Sequence, residues 1–205
     1  MRFFLPCLQA IALFFLISPM LPGGRAIAEK TRPHAISVQS VQADFIQEKH
    51  LPILVRPLVS RGRFLFKAPD SLRWEYTSPF HSVLLMDRGK IRKFVEKNGR
   101  LMEETGMRPG AVQLVMTEIS GWLNGHFTNT STFTLRQDGT TILLTPRKKG
   151  MAAFVNAIRL QPGDRPGLLR SVTIFEDNAK KAFTTMVFRH ARLNHAIAEK
   201  LFASP

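Results

Sequence analysis

Cysteine is almost absent from this chain of 205 residues, which contains only Cys7. Cys7 lies in an N-terminal segment that we expect to be removed on export. The mature chain would then have no thiol at all. That excludes disulfides, cysteine nucleophiles and zinc sites built from cysteine.

Residues 1–28 have the features of a cleavable secretory signal. Arg2 supplies a positive start, an apolar run covers Leu8 to Ile17, and Ala26-Ile27-Ala28 fits the small-x-small pattern before a cleavage site. The apolar run is too short to span a bilayer as a helix. We therefore predict that the chain is exported, with residues 29–205 forming a single domain.

Acidic residues are few, at 15 against 29 lysines and arginines, and the formal net charge is +14. A basic surface of this kind suits nucleic acid, anionic lipid headgroups or an acidic protein partner. Export makes nucleic acid the least suitable of the three. Arg147, Lys148 and Lys149 follow a predicted strand as one basic loop. The loop is a candidate docking site, and an ordinary solvated loop is the alternative interpretation.

Catalytic and metal-binding motifs are missing as well. The chain contains no GxSxG, SxxK, P-loop, GxGxxG or HExxH pattern, and none of its six histidines stand four residues apart. The sequence therefore predicts no catalytic residues, no metal site and no cofactor. A hydrolase whose acidic side chains converge in a cleft is the one catalytic alternative left open.

Alternating apolar residues, separated by turns containing glycine, asparagine or proline, predict an antiparallel meander of about ten or eleven strands. Apolar residues at three- and four-residue steps predict two amphipathic helices, at 35–47 and 112–123. Residues 44–48 could instead open the first strand. Together these patterns predict one α+β domain with a strongly curved antiparallel sheet. The predicted strands lie near 57–67, 71–77, 81–87, 90–96, 100–104, 131–137, 140–146, 153–161, 168–176 and 181–190.

The clearest alternation runs through residues 57–87. A period of two places large apolar side chains on one face of the sheet and charged ones on the other. The apolar set is Phe64, Phe66, Leu72, Trp74, Tyr76, Val83 and Leu85, and the charged set is Arg63, Lys67, Arg73 and Glu75. An apolar sheet face needs a cover, which can be a second sheet, a helix or a bound ligand.

Four motifs in this order resemble the periplasmic lipoprotein carrier family typified by LolA. They are Phe45-x-Gln47-x-Lys49, Gly62-x-Phe64-x-Phe66-x-x-Pro69, Leu72-x-Trp74-x-Tyr76-x-x-Pro79 and Leu143-Leu144-Thr145-Pro146-Arg147. The resemblance covers nearly all of the chain after the predicted signal. It implies an incomplete β-barrel of about 11 strands whose helices act as a lid over an apolar concave face.

The resemblance also implies a function without bond chemistry. The concave face would hold the acyl chains of a lipoprotein or another acylated envelope molecule. In the periplasm of a Gram-negative envelope, a monomeric carrier would take this cargo from an inner-membrane transporter and pass it to an outer-membrane acceptor. A non-catalytic adaptor with a closed core, which binds only protein, is the alternative. The residues predicted to line the cavity or the lid are Phe64, Phe66, Trp74, Leu85, Met116, Ile119 and Trp122.

Two positions depart from the family pattern. Typical carriers have an arginine directly before the proline at Pro69, where it helps to latch the lid, and this chain has Ala68 there. Lys67 is no simple substitute, because neighbouring residues of a strand point to opposite faces. The segment Glu103-Glu104-Thr105-Gly106 also differs from the expected aromatic-Asp pattern. Both departures favour an acylated cargo other than a lipoprotein.

Overall fold

The computed structural model describes residues 38–88, 90–104, 132–147, 152, 155–165, 167–176 and 181–205. In these ranges the chain forms eleven strands and one short helix, α1 (Lys200–Ala203). None of the described helices is long and apolar enough to cross a membrane. The strands are β1 (Ser40–His50), β2 (Leu58–Lys67), β3 (Ser71–Ser78), β4 (Ser82–Asp87), β5 (Lys90–Lys97), β6 (Arg100–Glu103), β7 (Phe133–Asp138), β8 (Thr141–Pro146), β9 (Ala157–Pro162), β10 (Leu169–Phe175) and β11 (Phe183–Leu193).

All eleven strands belong to one open, curved antiparallel sheet. Its order is β6-β5-β4-β3-β2-β1-β11-β10-β9-β8-β7, so two meanders meet where β1 pairs with β11. The edge strands are β6 and β7. A sheet of this size twists strongly, because each strand is rotated by about 20° from its neighbour. The predicted antiparallel sheet is confirmed, and the predicted strand positions agree with β2–β11 to within a few residues, except at the start of β9, which is predicted at 153 and lies at 157.

The helix predicted at 35–47 is wrong over residues 40–47, which belong to β1. Val38, Val41 and Phe45 are buried at helical spacing, yet Ala43 and Gln47 are buried too. From Val41 onward the buried positions therefore alternate, as in a strand. The burial of Gln47 hid this pattern in the sequence.

The other predicted helix, at 112–123, lies outside the described residues, as do residues 35–37. The only described helix, α1, is four residues long and lies at the C-terminal end. The described part of the chain therefore does not support a helical lid.

Most of the core lies on one side of the sheet, which we call the large apolar face. Directly paired residues of neighbouring strands point to the same side, and the pairs Val41–Phe66, Phe66–Leu72 and Leu72–Met86 carry this face from β1 to β4. In the other direction Met186 pairs with Val172. The series continues through Leu160 and Ile142 to β8.

The opposite side, which we call the tail-covered face, is buried over a smaller area. The chain after β11 turns back across it, and Ile197 and Phe202 pack against Leu65. The short helix α1 contacts β3 and β4. The two faces therefore differ in cover: the tail-covered face is packed by a defined segment of the chain itself, residues 194–205.

Candidate functional site: the large apolar face

The large apolar face carries two buried clusters side by side. The first lies on β1–β4 and β11, and its fully buried members are Val38, Val41, Phe45, Phe64, Phe66, Leu72, Leu168, Met86 and Met186. The second lies on β7–β9, with Phe133, Ile142, Leu144, Val155, Ile158 and Leu160. Val172 and Ile174 of β10 pack against the second cluster. Since Val172 pairs with Met186 of the first cluster, the two clusters adjoin along β10 and β11.

Aromatic rings occupy the centre of the first cluster. The ring centroids of Phe45 and Trp74 are 5.5 Å apart, and Tyr76 meets the Phe45 ring edge-on at 5.2 Å. Phe64 meets Trp74 edge-on at 5.3 Å and Phe188 at 6.2 Å. These are favourable geometries for aromatic pairs, so the four strands β1, β2, β3 and β11 are joined by one connected group of rings.

Gly62 makes this arrangement possible. A Cβ atom at position 62 would lie 2.0 Å from the Glu75 carbonyl oxygen and 2.5 Å from Cζ of Phe45. The Phe45 ring therefore lies directly across the backbone of β2. Only glycine leaves room for it.

Trp74 presents an unsatisfied donor in this apolar environment. Its indole Nε1 is buried, and in the described part of the chain it has no hydrogen-bond acceptor. A buried N–H without an acceptor costs about 1–3 kcal/mol. A ligand that brought a carbonyl oxygen to this position would remove that cost.

Polar groups at the margins of the face are paired. Lys49 forms an ion pair with Glu176 at 3.2 Å, and the Thr184 hydroxyl donates to the other Glu176 oxygen at 2.9 Å. On β5, Lys93 is buried and pairs with Glu104. These ion pairs mark the margins of the apolar region. A buried charge is unfavourable unless it has a partner of opposite charge, so the charged side chains lie only where such a partner is present.

A cavity of about 330 Å³ opens at the end of the sheet near the β9–β10 connection. Leu168, Phe188 and Ala191 line it and also pack in the first cluster. Asp164, Arg165, Arg170 and His190 line its polar side. The cavity therefore joins the apolar face to a charged rim that includes two arginines.

On the tail-covered face, a buried arginine holds the C-terminal segment. Arg73 Nη1 donates to the carbonyl oxygens of Leu201 (3.1 Å) and Ser204 (2.9 Å), and its Nε donates to Glu75 (2.9 Å). His81 Nε2 lies 3.0 Å from the other Glu75 oxygen. Burial alone raises the pKa of Glu75, but hydrogen bonds and charge from Arg73 and His81 outweigh it and hold that pKa below its usual value.

Phe64, Phe66 and Trp74 lie together on the large apolar face, as the alternation predicted. Their contact with a ligand stays a prediction. The placement of Val83 and Leu85 beside them is wrong, because these two residues pair with Glu75 and Arg73 and pack with Phe94 on the opposite side. The other predicted residues, Met116, Ile119 and Trp122, lie outside the described residues.

The error at Leu85 has a physical cause. Strand β4 reads Val83-Leu84-Leu85-Met86, and both sides of it are covered. A strand buried on both faces is apolar at every position, so alternation cannot assign its sides. Leu84, not Leu85, shares the face of Trp74.

Sequence reasoning also missed several residues of the face. The helical pattern predicts Phe45 on a helix, whereas the alternative, in which residues 44–48 open the first strand, is the one confirmed by β1. The second cluster was not singled out. Its signal was present as ordinary period-two pairs, of which Ile142 and Leu144 are the clearest.

Lys67 and Ala68, which stand where typical carriers have the arginine that helps to latch the lid, point to opposite faces of the sheet, as predicted. Lys67 pairs with Glu199 of the C-terminal segment, whereas Ala68 packs against the first cluster. In the basic loop, Arg147 Nε donates to the Phe133 carbonyl at 3.1 Å, which ties it to β7. Lys148 and Lys149 lie outside the described residues, and the docking role of this loop stays a prediction.

Comparison with known proteins identifies the family. The model of the family described as outer membrane lipoprotein carrier protein LolA matches residues 36–204, and the chain belongs to this family. It is 27% identical to an outer-membrane lipoprotein carrier protein of Methylococcus capsulatus, over 92% of this chain and 91% of that protein. The resemblance seen in the motifs is thereby confirmed.

Similarity to solved structures is weak. A LolA superfamily protein of Nitrosomonas europaea aligns with a TM-score of 0.39 at 10% identity, covering 80% of this chain and 90% of that one. A MucB structure aligns with a TM-score of 0.43 at 17% identity, covering 83% of this chain and 59% of that one. Family membership therefore rests on the sequence match.

Proposed function

We propose that the protein is a periplasmic carrier that shields acyl chains on its large apolar face and delivers an acylated molecule towards the outer membrane. The observation that carries this proposal is the size and continuity of that face. Two apolar clusters adjoin on one side of a single open sheet, and family membership points to the same role. The cargo is a lipoprotein or another acylated envelope molecule.

The energetics of an acyl chain require such a carrier. Each buried methylene is worth about 0.8 kcal/mol, so a free chain leaves a membrane for water very slowly. Phenylalanine and methionine side chains, such as Phe188 and Met186 on β11, adapt to a flexible chain. Binding and release need no covalent step, so the protein would act without catalysis.

The carrier must also orient its cargo. The Nε1 group of Trp74 is a buried donor of this cluster that has no acceptor in the described part of the chain. An ester or amide carbonyl of the cargo would accept its hydrogen bond, while the chains lie along β1–β4 and β11. The basic residues of the cavity rim, Arg165 and Arg170, would then face an anionic headgroup.

Tryptophan quenching tests contact between acyl chains and this face. Trp74 and Trp122 are the only tryptophans of the chain, so under excitation selective for tryptophan a Trp122→Phe variant reports from position 74 alone. A fatty acid brominated along its chain should quench this emission, and the unbrominated acid should not. The matched control adds Trp74→Phe and Leu201→Trp, which moves the emitter to the tail-covered face, where the brominated acid should have no effect.

An adaptor that binds only protein is the second candidate. The observation that favours it is the near-complete burial of Phe45, Phe66 and Leu160, each no more than 1% exposed. Such burial is typical of a closed core. Absence of quenching at position 74, with the protein folded, would support the adaptor and contradict the carrier.

A further inference from the structure

The connection between β1 and β2 exposes aliphatic side chains to water. Ile53 is 87% exposed and Val55 is fully exposed, and Leu54, Leu58 and Val59 are each exposed as well. Single exposed apolar residues are common, but a contiguous group marks an interaction surface. We call residues 51–59 the exposed loop.

The exposed loop has a defined conformation. The Leu54 N–H donates to the Leu51 carbonyl at 3.0 Å, which closes a four-residue turn with Pro52 at its second position. Proline is favoured there because its φ angle is already set for the turn. The turn therefore holds Ile53 and the following Val55 away from the sheet.

Two other connections at the same end of the sheet also expose apolar or basic side chains. Because the strands are antiparallel, the β3–β4 connection lies at this end, and it presents Phe80, which is exposed. The β5–β6 turn also lies here, with Lys97 and Arg100 exposed. The apolar tip is thus accompanied by a second apolar residue and by cations.

The charge around the exposed loop is strongly biased. Residues 49–69 contain no aspartate or glutamate, while Arg56 and Arg61 are exposed. Three acids of the described residues at this end each lie beside a basic side chain: Glu176 beside Lys49, Glu48 beside His50, and Glu96 beside His81. A positive surface around an apolar tip complements a layer of anionic headgroups.

We propose that the exposed loop docks the protein on an anionic bilayer, with Ile53 and Val55 inserted at the headgroup boundary and the surrounding cations on the lipid phosphates. A protruding tip of aliphatic residues fits the deformable interior of a bilayer. Protein interfaces instead concentrate binding energy in tryptophan, tyrosine and arginine residues seated in pockets. The proposal goes beyond the carrier function and does not depend on any cargo.

Vesicle flotation tests the proposal directly. The protein is expressed with its leader and purified from a periplasmic extract, and its N-terminus is determined by mass spectrometry. It should float with vesicles that contain phosphatidylglycerol and remain behind with pure phosphatidylcholine. Ile53→Asn combined with Val55→Asn should weaken the binding about tenfold or more, whereas Met102→Gln, at an exposed methionine of β6, should not.

The cations are tested in the same assay. Arg56→Gln should weaken binding to the anionic vesicles about fivefold, since one cation near such a surface is worth about that factor. Lys90→Gln removes an equal charge at the opposite end of the sheet and should have a much smaller effect. Equal losses for the two variants would mean that net charge alone drives binding, and this would overturn the proposal.

A depth probe separates docking from lipid uptake by the apolar face. A polarity-sensitive dye is attached to Val55→Cys or to Thr140→Cys, each in a Cys7→Ser background, and Thr140 lies in the β7–β8 turn at the opposite end. Vesicles should shift the emission at position 55 to the blue and leave position 140 unchanged. Unchanged emission at 55, or full vesicle binding by the Ile53 and Val55 double variant, would overturn the proposal.

Discussion

Leu84 and Leu85 are adjacent leucines on opposite faces of β4, so substitutions at these two positions test which face of the sheet binds acyl chains. Leu84 lies on the large apolar face and is half-buried, while Leu85 lies on the tail-covered face and is 1% exposed. We predict that Leu84→Ala weakens acyl-chain binding and that Leu85→Ala does not. Leu85→Ala should instead cause the larger loss of stability.

The magnitudes follow from burial. Replacing a fully buried leucine by alanine costs 2–5 kcal/mol, so we expect about 3 kcal/mol for Leu85→Ala. Leu84 is only partly buried without cargo, and its replacement should cost about 1 kcal/mol of folding free energy. In the Leu84→Ala variant, bound cargo would bury about one methylene group less than in the wild type, which corresponds to roughly a fourfold weaker affinity.

Urea denaturation followed by circular dichroism measures the free energy of unfolding of both variants. Titration with a fluorescent fatty acid measures their affinity at a temperature where both are fully folded. Equal weakening of affinity by the two substitutions would refute the assignment of faces. Unchanged affinity in Leu84→Ala would remove Leu84 from the binding surface.

Three further predictions concern the packing that supports the face. Gly62→Ala should lower the free energy of unfolding by about 3 kcal/mol, because the new Cβ collides with a backbone oxygen that cannot move aside and with Phe45; a normal urea midpoint would contradict the close approach. Arg73→Met should lower the free energy of unfolding by about 2–3 kcal/mol and speed proteolysis within residues 194–205, because it removes the donors to the carbonyl oxygens of this segment. Arg92→Met removes a more exposed donor to the same segment and should lower the free energy of unfolding by less than about 1 kcal/mol. The folded-state pKa of Glu75 lies below its unfolded value of about 4.3, so ionised Glu75 stabilises the protein above that pH, and this contribution disappears as pH falls through the folded pKa. The difference in the free energy of unfolding between the wild type and Glu75→Gln should therefore shrink in acid. A difference independent of pH would argue against the ion pairs of Glu75 with Arg73 and His81.

Most strand positions could be predicted because their signals are local. Turns such as Lys97-Asn98-Gly99-Arg100 separate short alternating runs, and each run pairs with its neighbour in sequence except β6 with β7, which form the two edges of the sheet. Two features required non-local information. The pairing of β1 with β11 joins the two ends of the described chain, and the cover of the tail-covered face comes from residues far along the sequence.

The same contrast explains the errors at the candidate site. Phe64, Phe66 and Trp74 were placed correctly, because charged residues alternate with them along β2 and β3. The prediction for Leu85 is wrong because the C-terminal segment covers that side of β3 and β4. The local sequence of β4 contains no signal for a covering segment that is more than 100 residues away. Gln47 concealed the strand character of β1, since its burial depends on Tyr76, whose hydroxyl donates to it at 2.8 Å.

If the large apolar face carries acyl chains, cargo should stay bound when the protein is purified from a periplasmic extract without detergent. Native mass spectrometry of that preparation detects such cargo. We predict a bound mass that organic solvent releases and that fragments as an acylated molecule, and we predict that Leu84→Ala lowers its occupancy while Leu85→Ala does not. A bare protein mass, together with failure to bind a fluorescent fatty acid, would contradict the account and leave the face as closed core.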